Sequence, residues 1–182
     1  PWGTYLTCEE NWPEVFTNQG ELTPDQARLG INGERGRYGW ESADDGEQGE
    51  FSRFDNTPRG DDPSKDYRNE ARGFGYIVEI DPYDAGSAIY KRTALGRFRH
   101  EGCWPGRVVE DMPLTFYTGH DSRNEYIYKF VTKKHWQQSD ANRPGESYDR
   151  QAIGARYLDE GTLYVARFDA DGTGAVSYTH LT

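Results

Sequence analysis

Four short clusters hold the side chains best suited to chemistry. Thr7-Cys8-Glu9-Glu10-Asn11 sets a thiol beside two carboxylates. As a thiolate, Cys8 suits a transition metal, and Glu9 or Glu10 could ligate or bridge. A packed thiol beside two solvated acids accounts for the same residues, and taken alone they favour that plainer account. The run Lys91 to Gly102 (KRTALGRFRHEG) places Glu101 between His100 and a glycine, where a strand gives way to a loop. A carboxylate there can point into a shared mouth, and the neighbouring cations could meet phosphate. The alternative is a basic strand edge that discourages aggregation, strongest for Lys91 and Arg99. Tyr117-Thr118-Gly119-His120-Asp121 puts Asp121 just after a glycine, as a metal ligand or as part of an ordinary Asx turn. Asp169-Ala170-Asp171-Gly172 looks like the start of a calcium loop but lacks the distal Glu of an EF-hand, and a hairpin turn explains it better.

The elements that must position these clusters read as strands. Gly3–Cys8, Gly75–Ile80, Ser87–Leu95, Leu114–Thr118, Glu125–Thr132 and Thr162–Phe168 are short, β-prone and bounded by turn formers. No segment sustains a helical stripe over three turns, although residues 24–29 and 147–157 could carry short helices. Residues 41–70 hold 10 acidic and 4 basic side chains, a local net of −6. They and residues 137–150 read as polar surface excursions. Long loops on a strand scaffold point to a propeller or barrel whose loops build the site, though no clean internal repeat marks a propeller.

Composition bounds the rest. The 182 residues are only 34% hydrophobic, yet 13 Tyr, 8 Phe and 5 Trp can build a core that a disordered chain lacks. A net charge of −10 speaks against a basic surface for nucleic acid and fits either a solvated surface or carboxylates that bind hard cations. Two cysteines, Cys8 and Cys103, are too few for a disulfide framework. No apolar run approaches the length of a membrane span. The chain opens at Pro1-Trp2-Gly3, so upstream sequence is expected to be missing. Residues 176–182 (VSYTHLT) match one translation of a common sequencing adapter. They are read as a scar, which removes His180 from the candidate ligands; the alternative is a genuine strand with Val176, Tyr178 and His180 alternating.

Taken in order, PWGTYLTCEENW, GYIVEIDPYD, KRTALGRFRHEG, YTGHDSRNEYIYKFV and GTLYVARFDADGTG resemble the PhoX family of bacterial alkaline phosphatases. The resemblance runs from Pro1 to about Gly174, with the polar inserts matching poorly. It implies an all-β fold, here a partial β-propeller of two to three incomplete antiparallel blades spanning residues 1–175. It implies a monomeric enzyme, periplasmic or secreted through a twin-arginine signal, that hydrolyses phosphate monoesters with a cluster of iron and calcium. Carried over by position, Cys8 resembles the cysteine ligand of iron and Glu101 a bridging carboxylate. Asp121, or the position before it, resembles a calcium-side carboxylate, and Glu9 is a weaker candidate. Catalytic side chains other than metal ligands are not assigned, and further ligands belong downstream. The sequence departs from the family at His120, where a second Asp is common, and at Cys103, where a small residue is usual. If Cys8 and Glu101 share a metal site, Cys103 falls near Cys8, and the two could close to a disulfide in an oxidising compartment. A calcium- or partner-binding propeller without catalysis, or a structural fragment without an intact site, are the competing readings. The expectation for the site is that Cys8, Glu101 and Asp121 converge, with Glu9 at the edge.

Overall fold

The computed structural model describes residues 1–43, 49–62, 64–170 and 176–180, the last segment by its backbone alone. The chain divides into two compact units, one of Pro1–Glu10 with Tyr76–Thr182 and one of Asn11–Gly75.

The first unit carries two antiparallel sheets, so the strand-rich reading holds. In chain order its strands are β1 (Tyr5–Cys8), β2 (Ile77–Ile80), β3 (Tyr90–Arg92), β4 (His100–Pro105), β5 (Pro113–His120), β6 (Ile127–His135), β7 (Gly161–Phe168) and β8 (Val176–His180). One sheet has the order β1-β2-β3 and the other β4-β5-β6-β7-β8, neither closed into a barrel. The expected strand at Ser87–Leu95 is only Tyr90–Arg92, because a 3-10 turn takes Thr93–Leu95. Val176–His180 pairs antiparallel with Phe168–Tyr164; Leu181 and Thr182 lie outside the described residues, as does the Asp171-Gly172 turn.

The period of two places the core. Along β5, Leu114, Phe116, Thr118 and His120 point inward while Thr115, Tyr117 and Gly119 alternate outward. Leu114 and Phe116 join Trp2, Ile77, Leu95, Phe130 and Trp136 in one cluster, closed by Ile153, Tyr157 and Leu158 from a helix. Trp2 stacks on Tyr157 at 5.6 Å and meets Phe116 edge-on at 6.3 Å. Trp2 is therefore core, and its indole N–H needs a buried acceptor.

Glu79 is that acceptor. It is fully buried, and its Oε1 accepts from Trp2 Nε1 at 2.7 Å and from Thr4 Oγ1 at 2.5 Å. Arg92, only 2% exposed, donates through Nε to Glu79 Oε2 at 2.7 Å, through Nη1 to Asp159 Oδ1 at 2.8 Å and through Nη2 to the Gln151 carbonyl at 2.9 Å. The helix completing this arrangement, here α2 (Arg150–Leu158), starts where Asp149 accepts from Ala152 N at 2.8 Å. It carries glycine at 154 for a steric reason, since a Cβ there would fall 2.2 Å from Glu79 Oε2. The 137–150 stretch is less of an excursion than its polarity suggests. Asp140 is buried, accepts from the Tyr157 hydroxyl at 2.6 Å and pairs with Arg156.

The second unit has no strand among its described residues. Its helix α1 (Pro24–Leu29) was legible as Thr23-Pro24-Asp25-Gln26, a capping box with proline in the first turn, and it ends on Gly30 in the left-handed region. Trp12, Val15, Phe16, Leu29, Ile31, Phe54 and Ala71 form its own core. The described residues of 41–70 thus stay outside the sheets, as expected, but supply Phe54 to that core. No helix among the described residues is long and apolar enough to cross a membrane.

The buried pair yields a test. Arg92→Met strands the Glu79 carboxylate in the core and is expected to cost about 3–5 kcal/mol. Lys133→Met removes an ion pair to Glu160 between two largely exposed side chains and is expected to leave the urea midpoint almost unmoved. Equal midpoint shifts for the two variants would show that Glu79 has another counter-charge.

Candidate functional site

The sequence candidates gather around β4, an edge strand. In its ladder with β5, His100 stands opposite His120 and Glu101 opposite Gly119. Asp121 extends the ladder by donating its N–H to the Arg99 carbonyl at 3.1 Å. Alternation then sorts the faces. His100 and His120 turn inward and are buried, while Glu101 and Asp121 are exposed on the outer face. They are diagonal neighbours across the ladder, a relation that sets Cα atoms about 7–8 Å apart. Arg99, directly opposite Asp121, belongs to the same face.

The inward pair is structural. His100 Nε2 lies 3.1 Å from the Gly96 carbonyl, which can only accept, so Nε2 carries the proton. Nδ1 then accepts from the Thr118 hydroxyl at 3.0 Å. Burial pushes the His100 imidazole down to about 4, the Gly96 contact opposing and the charge of His120 adding to the fall. A neutral ring stacked on Phe98 at 3.7 Å follows. His120 sits 3.2 Å from Glu125 Oε2 and 5.3 Å from the Phe98 ring. His120 is therefore committed to the interior, and of the two positions Asp121 is the one on the open face.

Cys8, the last residue of β1, meets β4 one residue beyond Glu101. Its thiol contacts the Gly102 backbone; burial pushes it up, the Gly102 contact pulls it back, and Glu10 adds a smaller rise. The strand is bulged there. Three steps on β4, from Glu101 to Trp104, match two on β5, from Gly119 to Tyr117. Trp104 thereby takes the outward place opposite Tyr117 that regular pairing would give Cys103, which packs instead against the core. Gly102, at φ +71°, supplies the left-handed residue that the bulge requires. Cys8 and Cys103 line one cleft of about 480 Å³ with Trp2, Leu6, Gly102 and Phe116. Burial pushes the Cys103 thiol up to about 12, with the charge of Cys8 adding to the rise. Both cysteines are free.

Glu9 is engaged. Its Oε1 accepts from Lys91 Nζ at 2.7 Å and its Oε2 from the Tyr76 backbone at 3.0 Å. Both oxygens brace β1 against β2 and β3. The structure thus sets Cys8 against the Gly102 backbone on the core side of β4, and Glu101 and Asp121 on the outer face as diagonal neighbours across the β4–β5 ladder. Among the described residues, no three His, Cys, Asp or Glu side chains lie together in a way that could hold an ion. Sequence reading missed Glu79 and Arg92, since an acid and a base on alternating strands carry the same signal whether paired in a core or solvated. It also missed the bulge, although Gly102 beside Cys103 was the available sign.

Comparison with known proteins assigns the chain. The alkaline phosphatase PhoX family matches residues 1–182. The chain belongs to that family. A solved structure of Pseudomonas fluorescens PhoX in complex with vanadate, a transition state analogue, is similar at 38% identity and a TM-score of 0.75. The match covers 100% of this chain and 28% of that one. No curated protein sequence matches significantly.

The His100 hydrogen bonds generate a second test. Thr118→Val leaves Nδ1 buried without a donor and is expected to cost about 1–3 kcal/mol, whereas Thr118→Ser keeps the hydroxyl and most of the stability. Denaturant midpoints that fall equally for both would show that the threonine acts through its methyl group.

Proposed function

We propose that this chain is part of a phosphatase that hydrolyses phosphate monoesters with iron and calcium. Cys8 serves iron, Glu101 serves as a bridging carboxylate and Asp121 as a calcium-side ligand. The observation that carries the reading is the match of an alkaline phosphatase family along the whole length of the chain, and it is supported by Cys8 meeting β4 beside Glu101, with Asp121 diagonal to Glu101 across the ladder. The vanadate complex of the 38% identical relative supports it.

The donors fit such metals in kind. A thiol with carboxylates suits iron, and carboxylates alone suit calcium. Cys8 meets β4 at Gly102, next to Glu101, so the thiol and that carboxylate can serve one locus at this strand, with Asp121 across the ladder on the same face as Glu101. The described residues supply only part of a ligand set. When bound, metals of this kind neutralise the oxygens of a dianionic ester that would otherwise repel a nucleophile. This chain's residues do the rest of their part by position. The ladder holds Glu101 and Asp121 in fixed register, and Arg99 on the same face presents a cation to a phosphoryl oxygen. Glu9, held by Lys91 and the Tyr76 backbone, acts as a brace for β1 at the margin of the site.

On the same reading, the two sheets belong to blades of a β-propeller, and the enzyme works in the periplasm or outside the cell as a monomer on small phosphate esters. In the metal-loaded protein, Cys8→Ala is expected to lower iron content and hydrolysis of p-nitrophenyl phosphate together, by roughly 100-fold or more. That exceeds the about 10–100-fold loss typical of partners that only orient a ligand. Asp121→Asn is expected to lower calcium content while sparing iron. Retention of both iron and turnover by Cys8→Ala would reduce Cys8 to a packed thiol, and metal bound without turnover in the unaltered protein would favour a binding propeller.

A further inference from the structure

We infer that Cys8 and Cys103 form a dithiol that a small-molecule disulfide closes into an intramolecular bridge, and that closure withdraws Cys8 from the metal. The bridge stands on the geometry of the two strands; its effect on the metal rests on the assignment of Cys8 proposed above.

Four observations carry the pair. Both thiols are free and partly buried, and both pack against the core that contains Trp2 and Phe116. Both line the same cleft, which is open enough to admit a small reagent. The Cys8 thiol touches the backbone of Gly102, the residue joined to Cys103. The bulge between Glu101 and Trp104 turns Cys103 from the outer face toward that cleft. A disulfide needs Cα atoms within roughly 4.4–6.8 Å, a range that adjoining strand edges reach with little movement of the backbone. Gly102 lies at the pivot, and its backbone freedom lets Cys103 adjust without strain passing into the rest of β4.

The chemistry balances with a disulfide oxidant. One cysteine, as its thiolate, attacks a sulfur of the small disulfide; a protein–reagent bond forms, the reagent's S–S bond breaks, and one reagent thiolate leaves. The second cysteine, losing its proton to solvent, attacks the protein sulfur of that mixed disulfide and expels the other reagent thiolate. Two cysteine thiols are oxidised to one disulfide, and one reagent disulfide is reduced to two thiols. A sulfur held in the bridge is no longer a thiolate donor, so metal and bridge compete for Cys8.

The experiment uses the full-length protein, with and without prior chelation, exposed to oxidised glutathione. In chelated protein the Cys8 and Cys103 peptides are expected to appear linked in mass spectra, with both titratable thiols lost together and recovered by dithiothreitol. Metal-loaded protein is expected to link at least tenfold more slowly, and the linked form to rebind iron only after reduction. Cys103→Ala keeps Cys8 reducible and retains iron under the same oxidant. Glutathione adducts on Cys8 and Cys103 separately, or no reaction where other exposed thiols are capped, would overturn the pair. Linkage that forms at the same rate with and without metal, and leaves iron content unchanged, would uphold the bridge while overturning Cys8 as a ligand.

Discussion

A single buried carboxylate organises the sheet-bearing unit. Glu79 sits within β2 with no access to solvent, and three donors from two places in the chain converge on it: Trp2 and Thr4 from the segment entering β1, and Arg92 from β3. Taking such a charge out of water is expensive, and neutral packing could equal the pair in stability. What the arrangement gives is registry. Arg92 also reaches Asp159 and the Gln151 carbonyl, so the small sheet is fixed to α2 in one orientation, and Gly154 is the residue that lets the helix approach. A partly satisfied network of this kind would be worse than an apolar core, so its members stand or fall together.

That registry decides what happens at Cys8. Trp2 stacks in the core and its indole donates to Glu79, which fixes the entry to β1; Glu9, held by Lys91 and the Tyr76 backbone, fixes its exit. Cys8 lies between these anchors and is delivered to the edge of β4. The opposing side of the edge is set by a different device. The His100–Thr118 hydrogen bond and the stacking of His100 on Phe98 lock the inward face of the β4–β5 ladder. With that face fixed, Glu101 and Asp121 must stand outward. Burial raises both thiols in the metal-free chain, and a bound cation would act in the opposite sense.

The strands were legible because period-two alternation survives in the sequence. Leu114, Phe116 and Thr118 alternate with Thr115 and Tyr117, and β2, β5, β6 and β7 fall where turn formers bound them. The short helices were legible in outline: 24–29 matches α1, and 147–157 overlaps α2, which starts at Arg150 where Asp149 caps it. Strand β4 was not, since HEGCWP contains a glycine and a proline, and its pairing is supplied by β5 across a bulge. The polar stretch 41–70 was read as an excursion because its charges outnumber its apolar residues. Phe54 nevertheless enters a core most of whose other members lie between Trp12 and Ile31, and only contact distant in sequence could show that.

By itself, then, the sequence determined the strand-rich class, the helix starts and, through five ordered motifs, the family. Those properties are local or linear: alternation, capping and ordered motifs need no knowledge of what lies across the fold. The tertiary structure decided which acids and thiols meet. Glu9 and Glu79 are both strand-associated acids, yet one braces a sheet in a half-open setting and the other is sealed in the core with Arg92. His120 and Asp121 are adjacent, yet one turns inward to Glu125 and the other outward beside Glu101. Cys103 turns toward Cys8 because one extra residue in β4 shifts the alternation. Facing direction depends on register, and register depends on pairings between residues far apart in the chain, which no local pattern of residue types encodes.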